Sequence, residues 1–258
     1  MSLFLNGSLR LHRALVVTAL VVASASLAFA GPIHDAARKG DVKKVQALLQ
    51  QDPKAVNEKD NRGDTPLHVA CLHGQVAVAQ ALIDAGADVN AKNGYGAYMP
   101  DDLGKQFSTS NQQDPVWLLN VKGNDVRAMT NGYTPLDLAI FSTRHHQLMQ
   151  MLVEKKADVN AQAASGSTPL FWAVMRDQKD DVQFLLDHGA NPNTTDAYKN
   201  SVLDVALLMK YQSLVPILVD KGADVNAQDQ SLHRPLTYAM QAQLDSAANY
   251  LKKHGAHE

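Results

Sequence analysis

Thr168-Pro169-Leu170, followed by a helical pattern and then by His188-Gly189-Ala190-Asn191-Pro192-Asn193, is the stretch that decides the fold. It returns as Thr65-Pro66-Leu67-His68 through Gly86-Ala87-Asp88-Val89-Asn90. It returns again as Thr134-Pro135-Leu136 through Ala157-Asp158-Val159-Asn160, and as Ser201-Val202-Leu203 through Gly222-Ala223-Asp224-Val225-Asn226. Ala157, Ala190, Ala223 and Ala256 are 33 residues apart. A fixed period of that size marks a protein built by stacking one small unit on the next.

Each part of the phrase has a physical reason. Thr, or Ser201, caps a helix by accepting from an orphan N–H. Proline then fits at the first helical position, where no N–H is needed. Gly86, Gly189, Gly222 and Gly255 stand where a second helix ends in a left-handed residue. The Asp-Val-Asn after them suits an extended turn. One unit is therefore helix, turn, helix and projecting hairpin.

Thr-Pro-Leu-His-x-Ala, a glycine about six residues on, and Gly-Ala-Asp-Val-Asn together resemble the ankyrin repeat. The resemblance covers nearly all of the chain after residue 30. It implies an all-α repeat solenoid of about six helix-turn-helix units with hairpin fingers. The units run over residues 31–60, 61–93, 131–163, 164–196, 197–229 and 230–258. Thr65 and Thr134 are 69 residues apart, so one long insertion, 94–130, interrupts a finger.

The composition is ordinary for a globular chain: 258 residues, 45% hydrophobic, net charge −2. No basic surplus points to nucleic acid. Residues 1–30 differ from the rest. Arg10 and Arg13 precede the apolar run Ala14 to Val22, and Ala28-Phe29-Ala30 precedes Gly31. That order predicts a secretory signal peptide cleaved after Ala30, and hence a bacterial periplasmic or secreted protein. The alternative is an uncleaved anchor, the only route by which the chain would touch a membrane. The run is short for a span. The single cysteine, Cys71, has no internal partner and is read as core.

Several positions depart from the repeat. The first unit is polar and reads as an N-terminal cap; the last, with Arg234 in place of Thr, reads as a C-terminal cap. Lys156 stands where glycine is expected, so it must take the left-handed turn at a cost of about 1 kcal/mol. Pro216 lies in a second helix and bends it unless it falls in the first turn. His68, Cys71 and His73 do not have metal-ligand spacing. Within the insertion, Asp114 and Pro115 suggest a short helix, and Trp117, Leu118 and Leu119 could bury something.

Function is read from the surface, because no phosphate loop, nucleophile elbow or Cys-x-x-Cys occurs. No cofactor and no metal are expected. The resemblance implies that the two residues before the mid-unit glycine face a concave groove. Here they are Leu72-His73, approximately Phe141-Ser142, Met175-Arg176, Leu208-Met209 and Gln241-Ala242. The large apolar members make a stripe, flanked by His73 and Arg176. Two accounts follow: Trp117, Leu118 and Leu119 cover the stripe, or the insertion is a wall or lid beside an open one. The finger tips expected to contribute are Asn61, Arg62, Asp64, Tyr133, Ser165, Ser167, Tyr198, Lys199 and Leu232. The leading expectation is a monomeric, non-catalytic scaffold for a protein or peptide, with Tyr133, Tyr198 and Arg176 as anchors. One alternative is an envelope holdase with many clients. Another is an enzyme site between insertion and groove, using Asp101 or Asp102 with His73.

Overall fold

The computed structural model describes residues 31–94, 132–142, 144–196 and 199–257. The leader, the helix at Pro115, the assignments of Trp117, Leu118 and Leu119, and Tyr198 lie outside the described residues. Those residues form six helix pairs. They are α1 (Pro32–Lys39) with α2 (Val42–Gln51), α3 (Pro66–Leu72) with α4 (Val76–Asp84), and α5 (Pro135–Ile140) with α6 (His145–Glu154). Then come α7 (Pro169–Met175) with α8 (Lys179–Asp187), α9 (Val202–Leu208) with α10 (Leu214–Asp220), and α11 (Pro235–Gln241) with α12 (Asp245–Lys253).

The first helices start as the sequence demands. Thr65, Thr134, Thr168 and Ser201 each accept at the third helical N–H, and Pro66, Pro135 and Pro169 follow the threonines. Arg234 makes no side-chain cap. Pro216 is the third residue of α10 and lies in its first turn, so it costs no ladder bond. Alanines 70, 139, 173, 206 and 239 are fully buried in the first helices. Neighbouring first helices therefore meet more extensively than neighbouring second helices do. The first-helix side is the one that the resemblance to ankyrin repeats expects to be concave.

Asparagine ties the units together. Asn57, Asn90, Asn160, Asn193 and Asn226 each donate from Nδ2 to a carbonyl of the next unit and accept at Oδ1 from an N–H there. The ten bonds span 2.7–3.3 Å. Asn90 reaches Lys156 O and Asp158 N, so units two and three are stacked neighbours despite the intervening chain. The ends of that chain are pinned. Asn93 N donates to Tyr133 O at 3.0 Å, and Tyr133 N donates to Asn93 Oδ1 at 2.8 Å.

The fingers are turns rather than ladders. Among the described residues one isolated bridge, Thr195 to Ser201, is present and no extended strand. Where the tip is described, as at Asn61-Arg62 before Gly63 and Ala164-Ser165 before Gly166, the finger closes on two residues followed by a left-handed one, which leaves no length for further pairing. Asp60 holds the first tip by accepting from Arg62 N and Asp64 N, both at 2.9 Å. Asn193→Ala, which removes two inter-unit bonds at an exposed joint, is expected to lower stability by about 1–2 kcal/mol in urea unfolding. An unchanged midpoint would show that water replaces both bonds at no cost.

Candidate functional site

The concave side is built from three sets of residues: the finger tips, the exposed side of the first helices, and the turns that follow those helices. Its electrostatics come from what the caps consume. His68 Nε2 lies 2.9 Å from Tyr133 O, a carbonyl that can only accept, so Nε2 carries the proton. Its Nδ1 then accepts from Thr65 N–H at 3.1 Å and from the Thr65 hydroxyl at 2.8 Å. Burial holds this imidazole down at about 4, against donation to Tyr133 O. His34 makes the same reach to Asp64 O, at 2.9 Å.

In units three and five the histidine is replaced by Asp137 and Asp204. Asp137 Oδ2 accepts from Thr134 N and from its hydroxyl, both at 2.8 Å. Asp204 Oδ2 does the same with Ser201, at 2.9 and 2.6 Å. The other oxygen of each has no hydrogen-bond partner among the described residues. Burial pushes Asp137 up to about 7 and Asp204 up to about 6, against their cap bonds. Asp64 is likewise raised by burial to about 6, despite donation from Asn93 Nδ2.

The apolar stripe is not open along its length. Met175 and Phe141 are buried, and Ser142 with them. Tyr133 is also fully buried, which corrects its assignment as a finger-tip anchor. Its ring stands 5.6 Å from Trp172 and 6.5 Å from Phe141, so the aromatic body is used in packing. Its hydroxyl and Trp172 Nε1 are buried without a partner among the described residues. Arg176, half-buried, lies over the Phe141 ring at 5.7 Å. Asp64 and Ser167 are buried too, because they form finger bases rather than tips. Tyr133, Phe141 and Met175 therefore cannot line a free surface as they stand.

What remains accessible lies towards the two ends. Leu72 is half-buried beside exposed His73, and Leu208 and Met209 are half-buried beside exposed Lys210. Arg62, Ala164, Lys199 and Leu232 are exposed at finger tips. Leu232 and Met240 are the large apolar side chains that stand out, at 72% and 46% exposure. Met240 sits at the position of Cys71, Ile140, Val174 and Leu207, all fully buried by a following unit. Sequence reasoning passed over Lys210 and Met240. Aligning Lys210 with Gly74, and Met240 with the buried set, was the available signal.

The His146–Asp181 contact, at 2.9 Å, is the other polar cluster of note. It joins α6 to α8 on the second-helix side. Gln150 Nε2 donates to His146 Nε2 at 3.1 Å, which assigns His146 Nδ1 as the donor to Asp181. No nucleophile lines the adjoining cavity of about 320 Å³, bounded by His146, Gln178, Lys179, Asp180 and Asp181. Among the described residues no three His, Cys, Asp or Glu side chains converge as a metal site, and no helix is long and apolar enough to cross a membrane.

Comparison with known proteins matches this geometry. A family model for ankyrin repeats in three copies fits residues 11–93 and 145–229. The ankyrin repeat protein YahD of Escherichia coli (strain K12) is 33% identical over 172 residues, 63% of this chain and 82% of that protein. Human Neurogenic locus notch homolog protein 1 is 30% identical over 148 residues, 57% of this chain but 6% of that protein. The crystal structure of an ankyrin repeat domain from Acinetobacter baumannii AYE superposes with a TM-score of 0.68 at 25% identity. It covers 88% of this chain and 98% of its own. Ankyrin repeats generally mediate protein–protein binding and are typically non-catalytic. By repeat phrase, helix stacking and these matches, the chain belongs to the ankyrin-repeat family.

Proposed function

We propose that this protein is a non-catalytic scaffold that holds another protein or a peptide in its concave groove, in the cell envelope or outside the cell. One observation carries the binding site: apolar surface with a polar rim stays accessible towards both ends of the groove, half-buried Leu72 beside exposed His73 and half-buried Leu208 and Met209 beside exposed Lys210. Such partly covered apolar surface with a polar rim is what a specific interface needs. The envelope location rests on the order of residues 1–30, with Arg10 and Arg13 before the apolar run and Ala28-Phe29-Ala30 at its end. Promiscuous holding of unfolded clients would need a long open apolar stripe, and the burial of Phe141 and Met175 removes its middle.

Two measurements test this. In cross-linking capture from native extract, the wild-type chain is expected to retain a partner that Leu72→Asp and Leu208→Asp lose, with the melting temperature unchanged within about 3 °C. Retention by both variants would move the site off the groove. In fractionated cells the mature N-terminus is expected at Gly31 in the envelope or medium. An intact Met1 terminus in the cytosol would remove the export part of the proposal.

A further inference from the structure

The joints between units differ at one position, the fourth residue of the repeat phrase. His34 and His68 reach from it across the joint, with Nε2 at 2.9 Å from Asp64 O and at 2.9 Å from Tyr133 O. Asp137, Phe171 and Asp204 hold that position at the next three joints. The finger bases they meet are alike. Ser167 O, Asn200 O and His233 O each take an N–H from their own finger, just as Asp64 O and Tyr133 O do. Each of these carbonyls keeps a second lone pair. Phe171 has nothing to offer it.

The two carboxyls at this position are only half used. Oδ2 of Asp137 and of Asp204 does what Nδ1 of His68 does, accepting from the N–H and the hydroxyl of the cap residue. Oδ1 of each is buried with no hydrogen-bond partner among the described residues, on side chains that are fully buried. In that match Oδ1 falls at the ring carbon next to Nε2, one bond short of the atom that bridges the joint in His68. Native structures seldom leave a buried oxygen without a partner. A carboxylic acid resolves both defects at once. Oδ2 already takes two donors, so the proton sits on Oδ1, where it becomes a donor for the carbonyl across the joint.

We infer that a carboxyl proton latches two of the fingers: Asp137 Oδ1–H donates to Ser167 O, Asp204 Oδ1–H donates to His233 O, and losing the proton frees that finger. Burial, the largest cause at both sites, keeps the proton on Asp137 up to about pH 7 and on Asp204 up to about pH 6. Around Asp137, Lys92 of unit two favours the charged form, Asp158 after α6 favours the neutral one, and Tyr133 faces it as well. Around Asp204, Asp229 and Asp196 favour the neutral form, and Tyr238 of α11 faces it while donating its hydroxyl to Asp229. As pH rises the latches therefore open in order, the finger leading into unit six before the one leading into unit four. The His68 bridge does not respond over this range, because that imidazole stays neutral down to about 4 and keeps its Nε2 proton. The rim of the groove at units four and six, with exposed Ala164 and Leu232 at its tips, is thus rigid in mild acid and loosened in mild alkali. This latch stands whether or not the groove holds a partner.

The test is hydrogen–deuterium exchange of the full chain at pH 5, 6.5 and 8, corrected for intrinsic rates and read over fingers 58–64, 161–167 and 227–233. Protection of 161–167 and 227–233 is expected to fall about tenfold or more between pH 5 and pH 8, against less than about threefold for the histidine-bridged 58–64. Most of the loss should come below pH 6.5 for 227–233 and above it for 161–167. Asp137→Asn supplies a pH-independent donor, since its amide oxygen serves the cap and its Nδ2–H faces Ser167 O. It is expected to hold 161–167 at pH 8 within about twofold of the wild-type value at pH 5, while 227–233 still loosens. Asp204→Asn should do the reverse. Asp137→Leu removes charge and donor together and should leave 161–167 loose at every pH; if it fails to fold, the two Asn variants decide alone. An equal pH response in all three fingers overturns the inference, as does a finger that still loosens in its own Asn variant. Protection by leucine as great as by asparagine also overturns it, because burial of charge without a bond would then explain the effect.

Discussion

Asp137→His raises stability at pH 8 by about 2–4 kcal/mol and gains little or nothing at pH 5. Two effects add at pH 8. The first is relief of a buried carboxylate. Asp137 is held at about 7 instead of 3.8, so folding its ionised form costs on the order of 4 kcal/mol. The second is a new bridge between units. Ser167 stands where Tyr133 stands one unit earlier, and among the described residues its carbonyl takes the Ala163 N–H alone, at 2.9 Å. A histidine at 137 copies His68: Nδ1 serves the Thr134 cap, and Nε2–H is aimed at Ser167 O. One such bond contributes about 1 kcal/mol.

The two residues respond to pH in opposite senses. A carboxyl whose pKa is raised by folding binds its proton more tightly in the folded state. Asp137 therefore contributes stability that is fully present below about 3.8 and lost as pH rises towards 7. Asp204 and Asp64 lose theirs by about pH 6. A buried neutral histidine behaves the other way. His68 falls from 6.5 to about 4 on burial, so its contribution is present above 6.5 and lost as pH falls towards 4. The wild-type chain should thus weaken between pH 5 and pH 8, and Asp137→His should flatten or reverse that slope. Urea midpoints at the two pH values decide it. A variant less stable than wild type at pH 8, or a gain that does not change with pH, would show that Asp137 is not a strained carboxylate.

The second large effect comes from glycine. Lys156, Lys210, Leu232 and Gln243 have φ of 70°, 62°, 65° and 57°. Glycines occupy the matching positions elsewhere, and at Gly86, Gly189, Gly222 and Gly255 a Cβ would meet nothing within 4 Å. Around Lys156, their counterpart, the cost is therefore backbone strain and not a clash. Replacing all four with glycine should raise stability by about 3–4 kcal/mol, at roughly 1 kcal/mol each. The four sites lie in separate turns, and a repeat stack adds such increments nearly independently. Thermal melts of the single and fourfold variants measure it. A fourfold gain under about 1 kcal/mol would mean that these turns relax at no cost.

The sequence by itself determined the stack. A cap of Thr or Ser, a proline, a small buried alanine and a left-handed glycine are each set by local backbone sterics, so their recurrence every 33 residues specifies both the unit and its repetition. The same logic placed the left-handed Lys156, which follows from φ alone, whereas Pro216 was harmless only once the helix was seen to start at Leu214. The asparagine ladder was visible as a letter and not as a role. Asn193 is an ordinary turn residue until the neighbouring unit puts Gly222 O and Asp224 N within 3.0 and 2.7 Å of it. Exposure was decided only by the tertiary structure. Phe141 and Met175 occupy repeat positions expected to face the groove, yet they are buried, while Leu208 at the equivalent position stays half-open, and Tyr133, expected at a finger tip, is buried at a finger base. The physical reason is that burial depends on what lies across the groove and beside each ring, here Trp172 against Tyr133 and Arg176 over Phe141. Period and spacing describe one unit at a time and carry no information about that.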